Sequence, residues 1–224
     1  MVEKNLFTRI PNHIGIIPDG NRRWAESNNY EKQQGYEHGI MPGFELYELM
    51  LQLGVKEATF YGFTMDNTKR TSVQTKAFVK ACVDAVEILA NRDANLLVIG
   101  NENSTVFPKQ LIKYVNKRVH FGHGLININF LVNYDWQWDL NHAYRSNNEE
   151  QKKIDLYASI ASCDISRVDL IIRWGGRRRL SGFLPIQSVY SDFYVVEDYW
   201  PDFNKDQFYE ALRWYQTSDV TLGG

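Results

Sequence analysis

Asp19, Asn21, Arg22 and Arg23 follow directly on the apolar run Ile14–Ile17 and Pro18. The run reads as a buried strand, Gly20 as part of a tight turn, and Trp24-Ala25-Glu26 as the opening of a helix. A strand, a turn and a helix N-terminus favour an anion, because backbone N–H groups and the helix dipole point there. Arg22 and Arg23 add guanidinium donors that match phosphate oxygens. Asp19 is left with those arginines or a metal as partner. A carboxylate beside a phosphate cradle suits Mg²⁺ bridging protein and diphosphate.

A second basic cluster stands far along the chain. Arg173, Arg177, Arg178 and Arg179 surround Gly175-Gly176, just past the apolar Leu170–Ile172. Glycines let backbone N–H groups approach an anion, and the guanidinium forks suit phosphate. Two more polar segments begin where apolar runs stop: Thr64 to Arg70 after Ala58–Phe63, and Asn133-Tyr134-Asp135 after Ile126–Val132.

The elements that must position these groups follow from periodicity. Strand-like runs are Ile14–Ile17, Ala58–Phe63, Leu96–Ile99, Ile126–Val132 and Leu170–Ile172. Helical spacing marks Gly43–Gln52, Gln74–Asn91, Pro108–His120, Ile154–Ile160 and Phe208–Trp214. The alternation predicts an α/β fold, a mostly parallel central sheet covered by helices. Ligands of such sheets bind outside the carboxyl ends of the strands. Four strand ends are therefore expected on one rim.

Composition bounds the rest. The 224 residues suffice for one well-cored domain, read as residues 1–224. A net charge of −2 gives no basic field for nucleic acid. The aromatic content of 14% fits a large core and an apolar tunnel equally. Cys82 and Cys163 lack metal-like spacing and read as free buried thiols in a reducing compartment. Glu3, Lys4 and Arg9 deny the N-terminus signal-peptide character, and no apolar run is long enough to span a bilayer. A cytoplasmic protein with at most peripheral membrane contact is expected. His38, His120, His123 and His142 show no metal spacing and read as surface residues.

The segment His13 to Ala25 resembles the first motif of the cis-prenyltransferases, the family of undecaprenyl diphosphate synthase, His-x-x-x-Ile-x-Asp-Gly-Asn-x-Arg-Trp-Ala. Asp169 to Pro185 is similar to their Asp-Leu-x-Ile-Arg-Thr-x-Gly-Glu-x-Arg-x-Ser-x-Phe-Leu. Tyr61 to Arg70 resembles Tyr-Ala-Phe-Ser-x-Glu-Asn-x-x-Arg, and Gln187–Tyr194 and Trp200–Phe203 match as well. The resemblance covers His13 to Phe203.

It implies an α/β fold with an apolar tunnel between sheet and helices, usually a dimer, acting on an allylic and a homoallylic isoprenoid diphosphate. Asp19 would hold Mg²⁺ and help ionise the allylic diphosphate, which Gly20, Asn21, Arg22, Arg23 and Arg70 would bind, with Trp24 alongside. Asn67 matches an amide to which proton removal is attributed, and Thr64, Asp66 and Thr68 flank it. Arg173, Arg179 and Ser181, with Leu180 between, match the site for isopentenyl diphosphate. Asp192 stands where the family usually has a metal-binding Glu.

Departures are equally informative. Lys32 replaces an Arg, Tyr36 a His and Thr68 an aromatic residue; Arg177 and Arg178 replace Glu and His. Homodimeric members usually end in Arg-x-Gly, whose Arg reaches the partner's second diphosphate. Here Val220 and Thr221 occupy that place in Asp219-Val220-Thr221-Leu222-Gly223-Gly224. The expectation is a Mg²⁺-dependent prenyltransferase of short product. Irregular coupling or cyclisation on the same fold, or a subunit of a heteromer, are the alternatives.

Overall fold

The computed structural model describes residues 7–146 and 155–218. Seven strands form one sheet: β1 (His13–Ile17), β2 (Glu57–Tyr61), β3 (Ala94–Ile99), β4 (Val119–Phe121), β5 (Ile126–Leu131), β6 (Leu170–Arg173) and β7 (Asp192–Val195). Their order is β4-β3-β5-β2-β1-β6-β7, parallel throughout except for β4, which runs antiparallel to β3. The chain builds from β1 toward β2 and later returns to the other side of β1 with β6. The crevice between β1 and β6 is thus the switch point of the sheet, where ligands of open α/β sheets bind.

The helices are α1 (Asn21–Ser27), α2 (Gln34–His38), α3 (Ile40–Leu53), α4 (Ser72–Leu89), α5 (Trp136–Ser146), α6 (Leu156–Ser159) and α7 (Lys205–Thr217). Strand residues alternate between two cores. Ile14, Ile16, Ala58, Phe60, Leu96 and Ile128 meet Leu46 and Met50 of α3, Val83 and Val86 of α4, and Phe208 and Leu212 of α7. On the opposite face Ile17, Tyr61, Leu97, Leu131 and Ile171 pack with Tyr134, Phe183 and Leu184. Central strands buried on both faces explain why the sequence shows continuous apolar runs rather than alternation.

Some expectations need correction. Pro108–His120 is not an α-helix. Lys109–Tyr114 is a 3-10 turn, Val115 is extended and bridges Val98, and β4 follows. The buried pair Leu111 and Tyr114 is spaced three apart, which is the 3-10 period as much as a helical one. The strands β4 and β7 were not expected. Both are edge strands, and every residue of β7 is half-buried, so no alternation marks it. The short α2 was not expected either, nor was α5, which opens where the Asp135 carboxylate accepts the Trp138 N–H at 2.9 Å. Cys82 is a buried free thiol as expected, whereas Cys163 is exposed in the turn after α6. His38, His120, His123 and His142 are all exposed.

Candidate active site

The cleft begins where β1 and β6 end side by side, Ile17 paired with Arg173. Past Ile17 the chain turns through Gly20 at φ 104°, a left-handed conformation that L side chains rarely adopt, and enters α1. The turn leaves Asp19 between two arginines. Its Oδ2 accepts from Arg173 Nη2 at 2.8 Å and lies 3.4 Å from Arg23 Nη2; its Oδ1 accepts the Gly20 N–H at 2.6 Å. Burial pushes the Asp19 carboxyl up. The hydrogen bond and charge of Arg173, the charge of Arg23 and the Gly20 N–H outweigh it and hold the carboxyl below the usual carboxylate range.

Arg173 is 4% exposed, and both of its terminal nitrogens meet protein acceptors, while its Nε–H has no partner among the described residues. Besides Asp19, it donates to the Arg179 carbonyl and, at 2.9 Å, to Ser181 Oγ. The Tyr61 hydroxyl fastens the same loop by donating to the Ser181 carbonyl at 2.8 Å. Gly175 and Gly176 do not offer their amides to an anion as expected. Their N–H groups donate to the carbonyls of Asp198 and Val196, at 2.7 and 3.0 Å.

The β2 side supplies a compact turn over Met65–Lys69, in which Asn67 Oδ1 accepts the Thr64 N–H at 3.2 Å. Arg70 then reaches back and donates to the Tyr36 hydroxyl at 2.8 Å. The Tyr36 ring stacks on Phe78, with centroids 4.5 Å apart and planes 4° from parallel. Together these groups border a polar cleft of about 500 Å³. Behind it lies an apolar pocket of about 90 Å³, walled by Phe44, Phe60, Ala85, Leu89 and Phe130. Pro18, Asn21, Tyr36, Gly62 and Phe78 line both spaces and so form the throat between them.

Most of the expected residues converge here. Asp19, Gly20, Asn21, Arg22, Arg23, Lys32, Tyr36, Thr64, Asp66, Asn67, Arg70, Arg173, Arg179 and Ser181 all line the cleft. Others do not. Trp24 Nε1 donates to Asp202 at 2.6 Å, and its ring stacks on Tyr30 away from the cleft. The Thr68 hydroxyl caps the Met65 carbonyl, and Leu180 is exposed outside the lining. Asp192 is not brought to Asp19. It opens β7 in register with Leu170, at the amino end of the sheet, 3.7 Å from Arg9. Asn133, Tyr134 and Asp135 also stay out of the lining. Tyr134 bonds Asp139, Asn133 bonds the Asn101 carbonyl, and Asp135 caps α5, so three strand ends rather than four form the rim. Val220 and Thr221 lie outside the described residues. Sequence reasoning missed Tyr61 and Phe78 as site residues, because an aromatic at strand or helix spacing looks like core.

The donor set fits a magnesium ion at Asp19 and not at Asp192. Among the described residues no group of three or more His, Cys, Asp or Glu could cage a metal. Magnesium instead commonly takes one or two carboxylates and completes its shell with substrate phosphates and water. Asp19, ionised and open to the cleft, has lone pairs to spare for that role.

A carboxylate ringed by arginines at the switch point, opening through a throat onto an apolar pocket, defines an α/β protein for a polyanion with a hydrocarbon tail. The comparisons agree. The family model described as "Putative undecaprenyl diphosphate synthase" matches residues 17–223. An isoprenyl transferase of Streptococcus thermophilus is 32% identical over 242 residues, 99% of this chain and 96% of its own. A (2E,6E)-farnesyl-diphosphate-specific ditrans,polycis-undecaprenyl-diphosphate synthase of Haemophilus influenzae is 30% identical over 233 residues, 97% of each chain. The fold is shared with lavandulyl diphosphate synthase of Lavandula x intermedia, solved with dimethylallyl diphosphate, at a TM-score of 0.82 and 23% identity over 96% of this chain and 98% of that one. The chain belongs to the cis-prenyltransferase family and is a prenyltransferase acting on isoprenoid diphosphates.

Proposed function

We propose that this chain couples a short allylic diphosphate to isopentenyl diphosphate in a magnesium-dependent reaction and stops at a short product. The observation that carries this reading is the small apolar pocket directly behind the arginine-lined cleft. A cavity of about 150 Å³ takes a benzene-sized ligand. The pocket of about 90 Å³ therefore takes no more than about one isoprene unit, far from the space a long polyprenyl chain needs.

The allylic diphosphate would sit across the throat, with phosphates toward Asp19, Arg22 and Arg70 and its tail in the pocket. Magnesium held at Asp19 would supply charge stabilisation of the departing diphosphate. The C1–O bond of the allylic substrate breaks as a new bond forms from C4 of isopentenyl diphosphate to that C1, and C2 of isopentenyl loses a proton. A carboxamide is too weak a base to carry that proton, so Asn67 orients the partners and the released diphosphate accepts it. Arg173, locked onto Asp19, Ser181 and the Arg179 carbonyl, positions both the acid and the loop. Arg179 meets the second diphosphate. Preorganised charge of this kind is worth more in a cleft that excludes water. The continuous sheet supports one catalytic domain over residues 1–224. Family membership supports a homodimer, and a cytoplasmic location is part of the same reading.

Purified protein with Mg²⁺ and dimethylallyl, geranyl or farnesyl diphosphate, with and without isopentenyl diphosphate, tests this by mass spectrometry of the products. Short products that require isopentenyl diphosphate and vanish with chelator are expected. A ladder reaching C50-class products would overturn the short-chain reading. A product from dimethylallyl diphosphate alone would identify coupling of two allylic units instead.

A further inference from the structure

Three consecutive arginines, Arg177, Arg178 and Arg179, follow the glycine pair, and the structure treats them differently. Arg178 turns away from the cleft. Its Nη2 binds the Glu197 carboxylate, and its Nη1 lies 3.4 Å from the Gly176 carbonyl. Arg177 and Arg179 both line the cleft. Among the described residues neither guanidinium has a hydrogen bond or an ion pair.

The other charges of the cleft are largely matched. Asp19 takes Arg173 and Arg23, Glu26 takes Lys32, and Asp66 takes Lys69. Arg22 and Arg70 remain on the α1 side, where Arg22 has a 3.3 Å contact with Gln74 and Arg70 holds Tyr36. Arg177 and Arg179 remain on the β6 side. The Arg173 guanidinium is 4% exposed and largely engaged by protein oxygens, although its Nε–H has no partner among the described residues, so Arg177 and Arg179 are the exposed cations that a second diphosphate would meet on this side.

The backbone also fixes where Arg177 starts. Gly175 sits at φ 85°, and the amides of Gly175 and Gly176 are bonded to Asp198 and Val196. The turn that launches Arg177 is therefore preorganised, which lowers the ordering cost of binding.

We propose that Arg177 is a substrate-binding residue that pairs with Arg179 to hold the second diphosphate, so that this chain adds a second exposed guanidinium to that subsite. This rests on the two-diphosphate reading above. Arg177 stands where the resemblance expects a glutamate, so the exchange replaces a negative charge with a positive one at this turn.

Arg177→Ala, Arg178→Ala and Arg179→Ala test the assignment. Each is exposed, so thermal melting should be unchanged. The readouts are KM for each substrate at saturating co-substrate, and isothermal titration of isopentenyl diphosphate. Arg177→Ala and Arg179→Ala should each weaken isopentenyl diphosphate by about tenfold or more, as expected for a lost charge-assisted contact. The allylic KM should move less than about twofold, and Arg178→Ala should behave as wild type. If Arg179→Ala weakens isopentenyl diphosphate and Arg177→Ala does not, the role of Arg177 is refuted and the subsite stands. If neither variant does, the subsite assignment itself fails and takes the inference with it.

Discussion

Asp19 shows how one residue collects its function from its neighbours. Alone it is an ordinary carboxylate; between Arg173 and Arg23 it is held ionised against the cost of burial. The shift is downward, so the charged form persists as pH falls through the range where free aspartate protonates. Protonation of Asp19 should therefore not limit kcat/KM above about pH 4, which a pH–rate profile would check. Removing the carboxylate has a different outcome. Asp19→Ala should lower kcat by on the order of 10³-fold or more with circular dichroism unchanged, since metal-assisted leaving-group stabilisation is worth several kcal/mol. Near-normal turnover in the folded variant would remove Asp19 from the chemistry.

At the scale of elements, α4 forms one wall of the apolar pocket. Phe78, Cys82, Ala85 and Leu89 recur at helical spacing and all line it. Burial pushes the Cys82 thiol up to about 12, so it serves as an inert wall. Phe78 is the member at the throat, clamped under Tyr36, while Arg70 lies 5.5 Å over its ring. Phe78→Ala should widen the throat and extend the product by about one or two isoprene units, because each unit needs space of the order of a small apolar cavity. Product mass distributions of wild type and variant compare directly, and an unchanged distribution would mean that α4 does not gauge chain length.

Across the whole molecule, the sheet carries a second polar system at the end opposite the cleft. His13 Nε2 lies 2.8 Å from Thr59 Oγ1, and Nδ1 lies 3.0 Å from the Ser166 carbonyl. Because a carbonyl only accepts, Nδ1 carries the proton. Asn129 links Thr59 to the Glu57 carboxylate, which is 3.7 Å from Arg118. Burial pushes the His13 ring below its ordinary 6.5, although the Glu57 and Asp169 charges and the carbonyls of Ser166 and Arg167 pull the other way. The folded state therefore prefers the neutral ring. Its contribution is fully present above 6.5 and is lost as pH falls from there toward the lowered folded value. Melting temperature should drop between about pH 7 and 5. His13→Gln, whatever its own stability, should flatten that slope. Equal slopes in the two proteins would show that His13 is not the titrating group.

The sequence by itself determined the layers and the reacting groups. Apolar runs announce β1, β2, β3, β5 and β6, because doubly buried strands need them, and Asp19, Arg70, Arg173 and Arg179 stand at their ends. Helical spacing found α3, α4 and α7, and motif resemblance found the cleft. The half-buried β7 leaves no such trace, and the three-residue β4 is too short to show a period, so both edge strands emerged only from pairing. Direction in space was likewise hidden. Asp192 and Asp19 look equivalent as carboxylates beside strands, but parallel pairing puts one at the amino end of the sheet and the other at the carboxyl end. The same holds for Arg177 and Arg178, adjacent in the chain and divided by a turn that sends one into the cleft and the other to Glu197. Residue type and local period are carried by short stretches of chain; which groups share a space depends on register and turn geometry, which only the assembled sheet fixes.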